Sequence, residues 1–559
     1  MKKLLAIILV LVLALSAVAC GKTETPAPDA GKTPATPGAN QPTPAEGVTY
    51  ETLDSVTGEV IRYSKGGATK AVKEDPTTLY VGQMLTIESG NPGSCSDTPL
   101  IAMLYDQFIT IDYETGEYVG KVLKDWQFND DCTEMTFTMR DDVVFHDGTK
   151  ANAEDVLYSL SRYADGSVST QSDRNVFGSI DFEKSEVTGE YTGKIAFKAP
   201  SISFVPGLTK AWILSKDYIE SKGEDNAWWN NCMGSGKYKM ESAIQGDRYN
   251  LVRNDNYWGG EKAAFEKVII RSYAEASTMY IDFESGILDL IINPLSTDAK
   301  RIVDGSVDNS VLDIYSALQT FSVVFNEEMN PVLSDANVRK AIYLAIDPAV
   351  ISKMAYDFLA APADAIFADG VKDAYIRDHE TDIEAAKKAL ADAGYKPGEL
   401  TLVVGTNTQN VNMSMAEALQ GQLEEAGFKI EICAVDPTTH ITNFRNTGSD
   451  IYDMSFTKID YGTLDSSPFL AGCSKACGSM SFTGITDDYV DEMTLKAKNA
   501  SSAEEKSEAL LDVQEYIFDN YWMVPIVKTK TAIIYKDYIE GIHVIQPRMP
   551  DLTSVKIAG

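Results

Sequence analysis

The chain has 559 residues, 44% of them hydrophobic, and carries 82 acidic against 49 basic side chains for a net charge of −33. That length allows two or three domain-sized units with a large buried core. The charge repels phosphate backbones and excludes nucleic acid as a partner, and no apolar stretch beyond the N-terminus is long enough to span a bilayer, which excludes a permease.

Lys2 and Lys3 precede an apolar run from Leu4 to Ala19, closed by Ala17-Val18-Ala19-Cys20. A positive start, an apolar core and small residues at its end make residues 1–20 a secretory signal peptide. The cysteine that follows is similar to that of a bacterial lipoprotein signal, with Ala17 where the usual lipobox has leucine. The resemblance implies lipidation of Cys20 and anchoring at the outer face of the cell membrane. An uncleaved membrane helix is the alternative, although 16 apolar residues fall short of the ~20 that a span needs. Residues 21–46 are rich in Pro, Thr and Ala, and such a composition cannot offset its ordering entropy by burial. Its prolines favour an extended stalk. Residues 47–76 are expected to be loosely ordered, so that 21–76 forms a disordered linker.

Thr78–Val81 reads as the first strand of the globular part. Met135–Met139 alternates apolar and polar residues, the period of a half-buried strand. A turn at His146-Asp147-Gly148-Thr149 leads to a helix over Asn152–Arg162 with Val156, Leu157 and Leu160 inward. Thr381 and Glu384 suggest a capping box, and Gly394 a left-handed stop. Leu400–Val404, Ser414–Ala426 and Phe428–Val435 read as strand, helix and strand, a β-α-β unit that argues for an α/β layer architecture. Ser502 and Glu505 suggest a second capping box, and Val524–Val527 and Ala532–Tyr535 are strand-like.

Enzyme motifs are absent. The four histidines lie far apart, and no Gly-x-Ser-x-Gly elbow or phosphate loop occurs. No metal site or cofactor is expected. Six cysteines remain beside Cys20, and Cys473 with Cys477 is the likeliest disulfide pair, enclosing a very short loop.

Four segments, in order, resemble the extracytoplasmic solute-binding proteins of family 5, the dipeptide-, oligopeptide- and nickel-binding partners of ABC importers. The first runs from Asp125-Trp126 through Met135–Arg140 and Val144–Thr149 to Ala153–Leu160. The second is Gly234–Tyr238 followed by Arg253–Gly259, the third Val338–Ile342 with Ala345–Asp347, and the fourth Ala386–Lys388 through Ala393–Tyr395. The resemblance implies a two-lobed periplasmic-binding-protein-like fold of type II, cluster C, α/β with mixed sheets and an interlobe ligand cleft. Lobe I is then 77–322 with 523–559, and lobe II is 323–522, with crossings at Val323–Asn326 and Met523–Val527.

The same resemblance implies a monomeric, non-enzymatic subunit that binds short peptides and delivers them to ABC permease and ATPase subunits. Nickel chelates, oligosaccharides and a peptide-sensing role stay open. In the family's peptide binders an aspartate in a Trp-x-x-Asp-Tyr-Pro-Asp-Pro-like segment holds the ligand's ammonium. Asp460 falls on that aspartate and Tyr461 matches, whereas Thr457 replaces the tryptophan and Gly462 a proline. Asp460, Tyr461 and Gly462 are therefore candidate ligand residues. Strand-like pairing with the ligand backbone is expected at Leu85, Thr86, Ile87, Glu88 and Ser89. No cation for a ligand carboxylate stands out; Lys458 and Arg445 are merely near in sequence.

Overall fold

Two long antiparallel strands, running through both halves of the fold, organise the computed structural model of the chain. The described residues are 41–558 without 69–71, 86, 88, 95–97, 113, 170–173, 175, 328–329, 446–450, 475–484 and 547–548. The signal segment with Cys20, the stalk up to residue 40, and Thr86, Glu88, Cys95 and Cys477 lie outside them.

The main sheet has thirteen strands; besides the short Ala360–Pro362, they are, in chain order, β1 (Thr49–Ser55), β2 (Gly58–Lys65), β3 (Thr78–Gln83), β4 (Tyr238–Ile244), β5 (Arg248–Arg253), β6 (Lys267–Ser272), β7 (Leu290–Ile292), β8 (Ser310–Phe325), β9 (Thr401–Asn407), β10 (Lys429–Val435), β11 (Met454–Asp460) and β12 (Met523–Lys536). Across the sheet the order is β4-β5-β6-β3-β7-β12-β8-β11-β9-β10. Parallel pairing joins β6, β3 and β7 on one side and β11, β9 and β10 on the other. Between these parallel blocks, β12 and β8 run antiparallel to each other and to their neighbours. Nearly every residue of β8 and β12 is buried, polar ones such as Asp313, Thr320 and Lys528 included, because both faces of these central strands are covered.

Ser310–Ser316 of β8 pairs with Lys530–Lys536 of β12, and Gln319–Val324 with Met523–Thr529. The register slips between Ser316 and Gln319, where Leu318 adopts φ 52°. This bulge is where β8 exchanges neighbours: β2 flanks it before residue 315, and β11 from Gln319 onward. The boundary at residue 323 expected from the sequence lies inside this same strand.

The core follows the same division. One cluster gathers residues from Leu318 to Val527, together with Ile111. A second draws on Leu79–Tyr315 and Ile533–Val555. A third packs Ile61 and Tyr63 of β2 against Phe283, Ile302 and Leu312. The expectation of a disordered linker through residue 76 is therefore corrected for residues 49–65. They form a hairpin whose second strand pairs with Ser310–Ile314 of β8, and Arg62 holds Asp313 through two hydrogen bonds of 2.7 and 2.8 Å.

The quoted motifs have structural causes. Asn152 and Asp155 form a reciprocal capping box for the helix Ala153–Ala164, and Asp155 also accepts from Lys216 N. Asp106, 1% exposed, accepts from Ser235 Oγ, Tyr257 Oη, Trp258 Nε1 and Lys121 Nζ, which ties the second motif pair together. Arg339, buried, donates to the carbonyls of Leu333 and Asn520 and stacks on Trp522. The helix Ile383–Asp392 is capped by Asp382 and not by Thr381, whose hydroxyl turns to the Ile346 carbonyl. Ser502 caps its helix as expected, while Glu505 reaches back to Ser501.

Candidate functional site

β11 ends at Asp460, and the chain then turns through 461–466 into the short helix Ser467–Gly472. Three cavities converge on this turn. One of about 190 Å³ lies between Phe177, Phe204 and Lys210 on one side and Thr463, Pro468 and Leu470 on the other. A second, of about 410 Å³, reaches Leu464 from the β1–β2 turn and Tyr118. A third, of about 310 Å³, touches Tyr118, Asp465 and Lys506. Each has walls from both core regions, so each lies at the junction of the lobes.

Asp460 is half-buried. Its carboxylate accepts from Gln319 Nε2 at 2.9 Å, beside the bulge of β8, and from the Gly462 amide at 3.2 Å. A carboxylate offers about four acceptor positions, so two donors leave room for an ammonium. Tyr461 sits differently from a residue aimed at open space. It is fully buried, its hydroxyl donates to the Ile366 carbonyl at 3.2 Å, and its ring packs on Phe367. It anchors the turn. Gly462 lies under Lys210: a Cβ there would meet Lys210 Nζ at 3.1 Å. Lys458 is exposed on β11, and the Arg445 side chain is outside the described ones.

Asp465, next along the turn, accepts from Lys506 at 2.7 Å, a nearly buried ion pair inside lobe II. The lobes also touch directly. Tyr118 donates its hydroxyl to the Thr463 carbonyl at 2.9 Å, and Cys132 Sγ donates to the Ser501 carbonyl at 3.3 Å.

The segment expected to pair with a ligand backbone is partly occupied by its own lobe. The Leu85 carbonyl accepts from Gln83 Nε2 and Ser272 Oγ, and the Ile87 carbonyl from Tyr249 Oη. Ile87 is buried, Leu85 is exposed, and Ser89 accepts from the Asn91 amide. Cys473 is buried and described, whereas its expected partner Cys477 is not. Among the described residues no cluster of side chains has the makings of a metal site.

The model of the family described as bacterial extracellular solute-binding proteins, family 5, matches residues 117–480, which include the Asp460 turn. The chain belongs to family 5 of the bacterial extracellular solute-binding proteins. A Brucella ovis protein named for ABC-transporter peptide binding is 25% identical over 386 residues, 65% of this chain and 69% of its own. CtaP of Listeria monocytogenes, an ABC transporter substrate-binding protein, has a TM-score of 0.74 at 20% identity and covers 87% of this chain and 100% of its own. AppA of Bacillus subtilis, an oligopeptide-binding protein solved with a nonapeptide, has a TM-score of 0.69 at 20% identity, over 86% and 99% of the two chains. At such identities the likeness shows the fold, and this family 5 protein has the two-lobed type II architecture.

Sequence reasoning missed three participants at the junction. Gln319, Tyr118 and Lys210 lie in no quoted motif, and each meets the Asp460 turn across more than a hundred residues of chain. Only the resemblance of the stretch around Asp460 to the family's aspartate segment carried a signal.

Proposed function

We propose that this chain is the extracytoplasmic solute-binding subunit of an ABC importer, anchored through a lipid on Cys20, and that it binds short peptides between its lobes. The observation that carries the reading is Asp460: a half-buried carboxylate with spare acceptor positions, at the end of β11 just before the residues 463–465 that line the junction cavities. An ammonium entering a site closed to water needs such a partner. Family membership and the named peptide specificity of its relatives support the same reading.

Binding would act by closure. A solute that contacts both lobes favours the closed form by its differential affinity, and the closed form presents both lobes to the permease. No bond of the solute is made or broken.

Native mass spectrometry of the protein, purified without refolding, tests this. A ladder of co-purified short peptides is the expected result. A single metal-chelate or sugar mass would overturn the peptide assignment.

A further inference from the structure

Lys210 is half-buried in the wall of the 190 Å³ cavity, beside Phe177, Phe204 and Leu470, and makes no hydrogen bond or ion pair among the described residues. The same wall carries Ser203, Thr463 and Lys498, so an anion entering the cavity would meet ammonium and hydroxyl groups, and a charge-assisted contact to Lys210 is open to it. Its place is set by Gly462. A Cβ at that position would lie 3.1 Å from Lys210 Nζ, 3.2 Å from its Cε and 3.4 Å from Asp460 Oδ1. Gly462 does not have a positive φ, so the backbone does not call for glycine there; the lysine takes the space a side chain would fill.

Those distances also bound the separation of the two charges. Nζ and Oδ1 share a neighbouring point, so they lie no farther apart than the two distances end to end, a little over two hydrogen-bond lengths. They are nonetheless not paired with each other. A lysine that lines the cavity and a carboxylate at the end of β11 thus lie close together on the two sides of Gly462, each with room for one more partner.

We propose that Lys210 receives the solute's carboxylate, and that Asp460 and Lys210 together select a solute bearing an ammonium and a carboxylate on one carbon, an α-amino-acid head group. The proposal rests on the reading of Asp460 as the ammonium site. Groups on one carbon match the short gap, whereas the two ends of an extended peptide do not. A free amino acid, or a peptide linked through a side-chain carboxylate, meets this requirement, and the mixed polar and apolar cavity beside Lys210 takes part of what the carbon carries.

The test is calorimetry on the full chain in detergent with three probes: L-leucine, γ-glutamyl-alanine and its isomer α-glutamyl-alanine. The two isomers have the same net charge, and only the γ-linked one keeps ammonium and carboxylate on one carbon. Wild type is expected to bind the γ isomer about tenfold or more tightly than the α isomer, as loss of a charge-assisted contact implies. K210M, which keeps the aliphatic stem, should abolish that preference at an unchanged melting temperature, and G462A should reduce it by crowding the lysine. Equal binding of both isomers, unaltered in K210M but lost in D460N, would overturn the role of Lys210 and leave the peptide reading standing. Binding of none of the three probes to wild type would overturn the head-group proposal alone, and the co-purified masses would then decide the peptide reading.

Discussion

At the residue scale, the motifs that identify the family are made of scaffold and not of ligand chemistry. Ser235, Tyr257 and Trp258, separated in sequence from Asp106, all donate to its buried carboxylate, which Lys121 neutralises. Asp106→Ala would strand four donors, and a cost of about 3 kcal/mol or more is expected. A melting temperature within a degree of wild type would contradict this. His146, which stands beside Asp147 like an acid/base pair, is structural too. Its Nδ1 accepts from the Gly234 amide and its Nε2 faces the Gly236 carbonyl. Burial pushes its pKa down to about 4, against a smaller opposing effect of that carbonyl. The folded state therefore holds it neutral. Its contribution is complete above the unfolded value of 6.5 and is lost as pH falls from there toward about 4, by at most about 3 kcal/mol. His146→Gln should flatten the fall of melting temperature between pH 6.5 and 4, and an identical slope in the two proteins would refute the assignment. Asp460 came into view only through its resemblance to the aspartate segment of the family's peptide binders. Lys210 did not, because nothing local marks a lysine whose environment is made by a turn some 250 residues away.

At the element scale, strands and helices with clear periodicity were readable, and their ends less so. Leu400–Val404 extends to Asn407 and the helix expected from Ser414 begins at Asn410, since the pairing of β9 with β10 and the burial of Met415 and Leu419 continue past the local pattern. The two strand-like stretches at 524–527 and 532–535 are one strand, β12, because β8 pairs along its whole length. The hairpin 49–65 escaped notice for a related reason. β1 shows one polar-facing, mostly exposed strand, and the apolar residues of β2 find their partners only on β8, about 250 residues on. Arg62→Ala would leave the nearly buried Asp313 with the Tyr535 hydroxyl and without its cation, and should cost about 2 kcal/mol. Thermal melting of the variant checks it; an unshifted transition would mean the hairpin is dispensable.

At the scale of the whole molecule, two lobes share β8 and β12 and meet at a junction of cavities. Tyr118 contributes one of the direct contacts across that junction. Removing its hydroxyl in Tyr118→Phe deletes about 1 kcal/mol from the closed form alone, so solute affinity should fall about fivefold while the melting temperature hardly moves. An unchanged affinity would show that this contact does not govern closure. The family's architecture could be anticipated from four ordered motifs, whereas the contacts across the junction could not, because they join segments with no common pattern.

The most direct test of the central claim compares native mass spectra of the wild-type protein and Asp460→Asn, purified side by side. The account expects bound peptide masses in the first and their loss in the second, with both proteins folded. The same masses at the same occupancy in both would contradict it, because the carboxylate at the end of β11 would then not be what holds the solute.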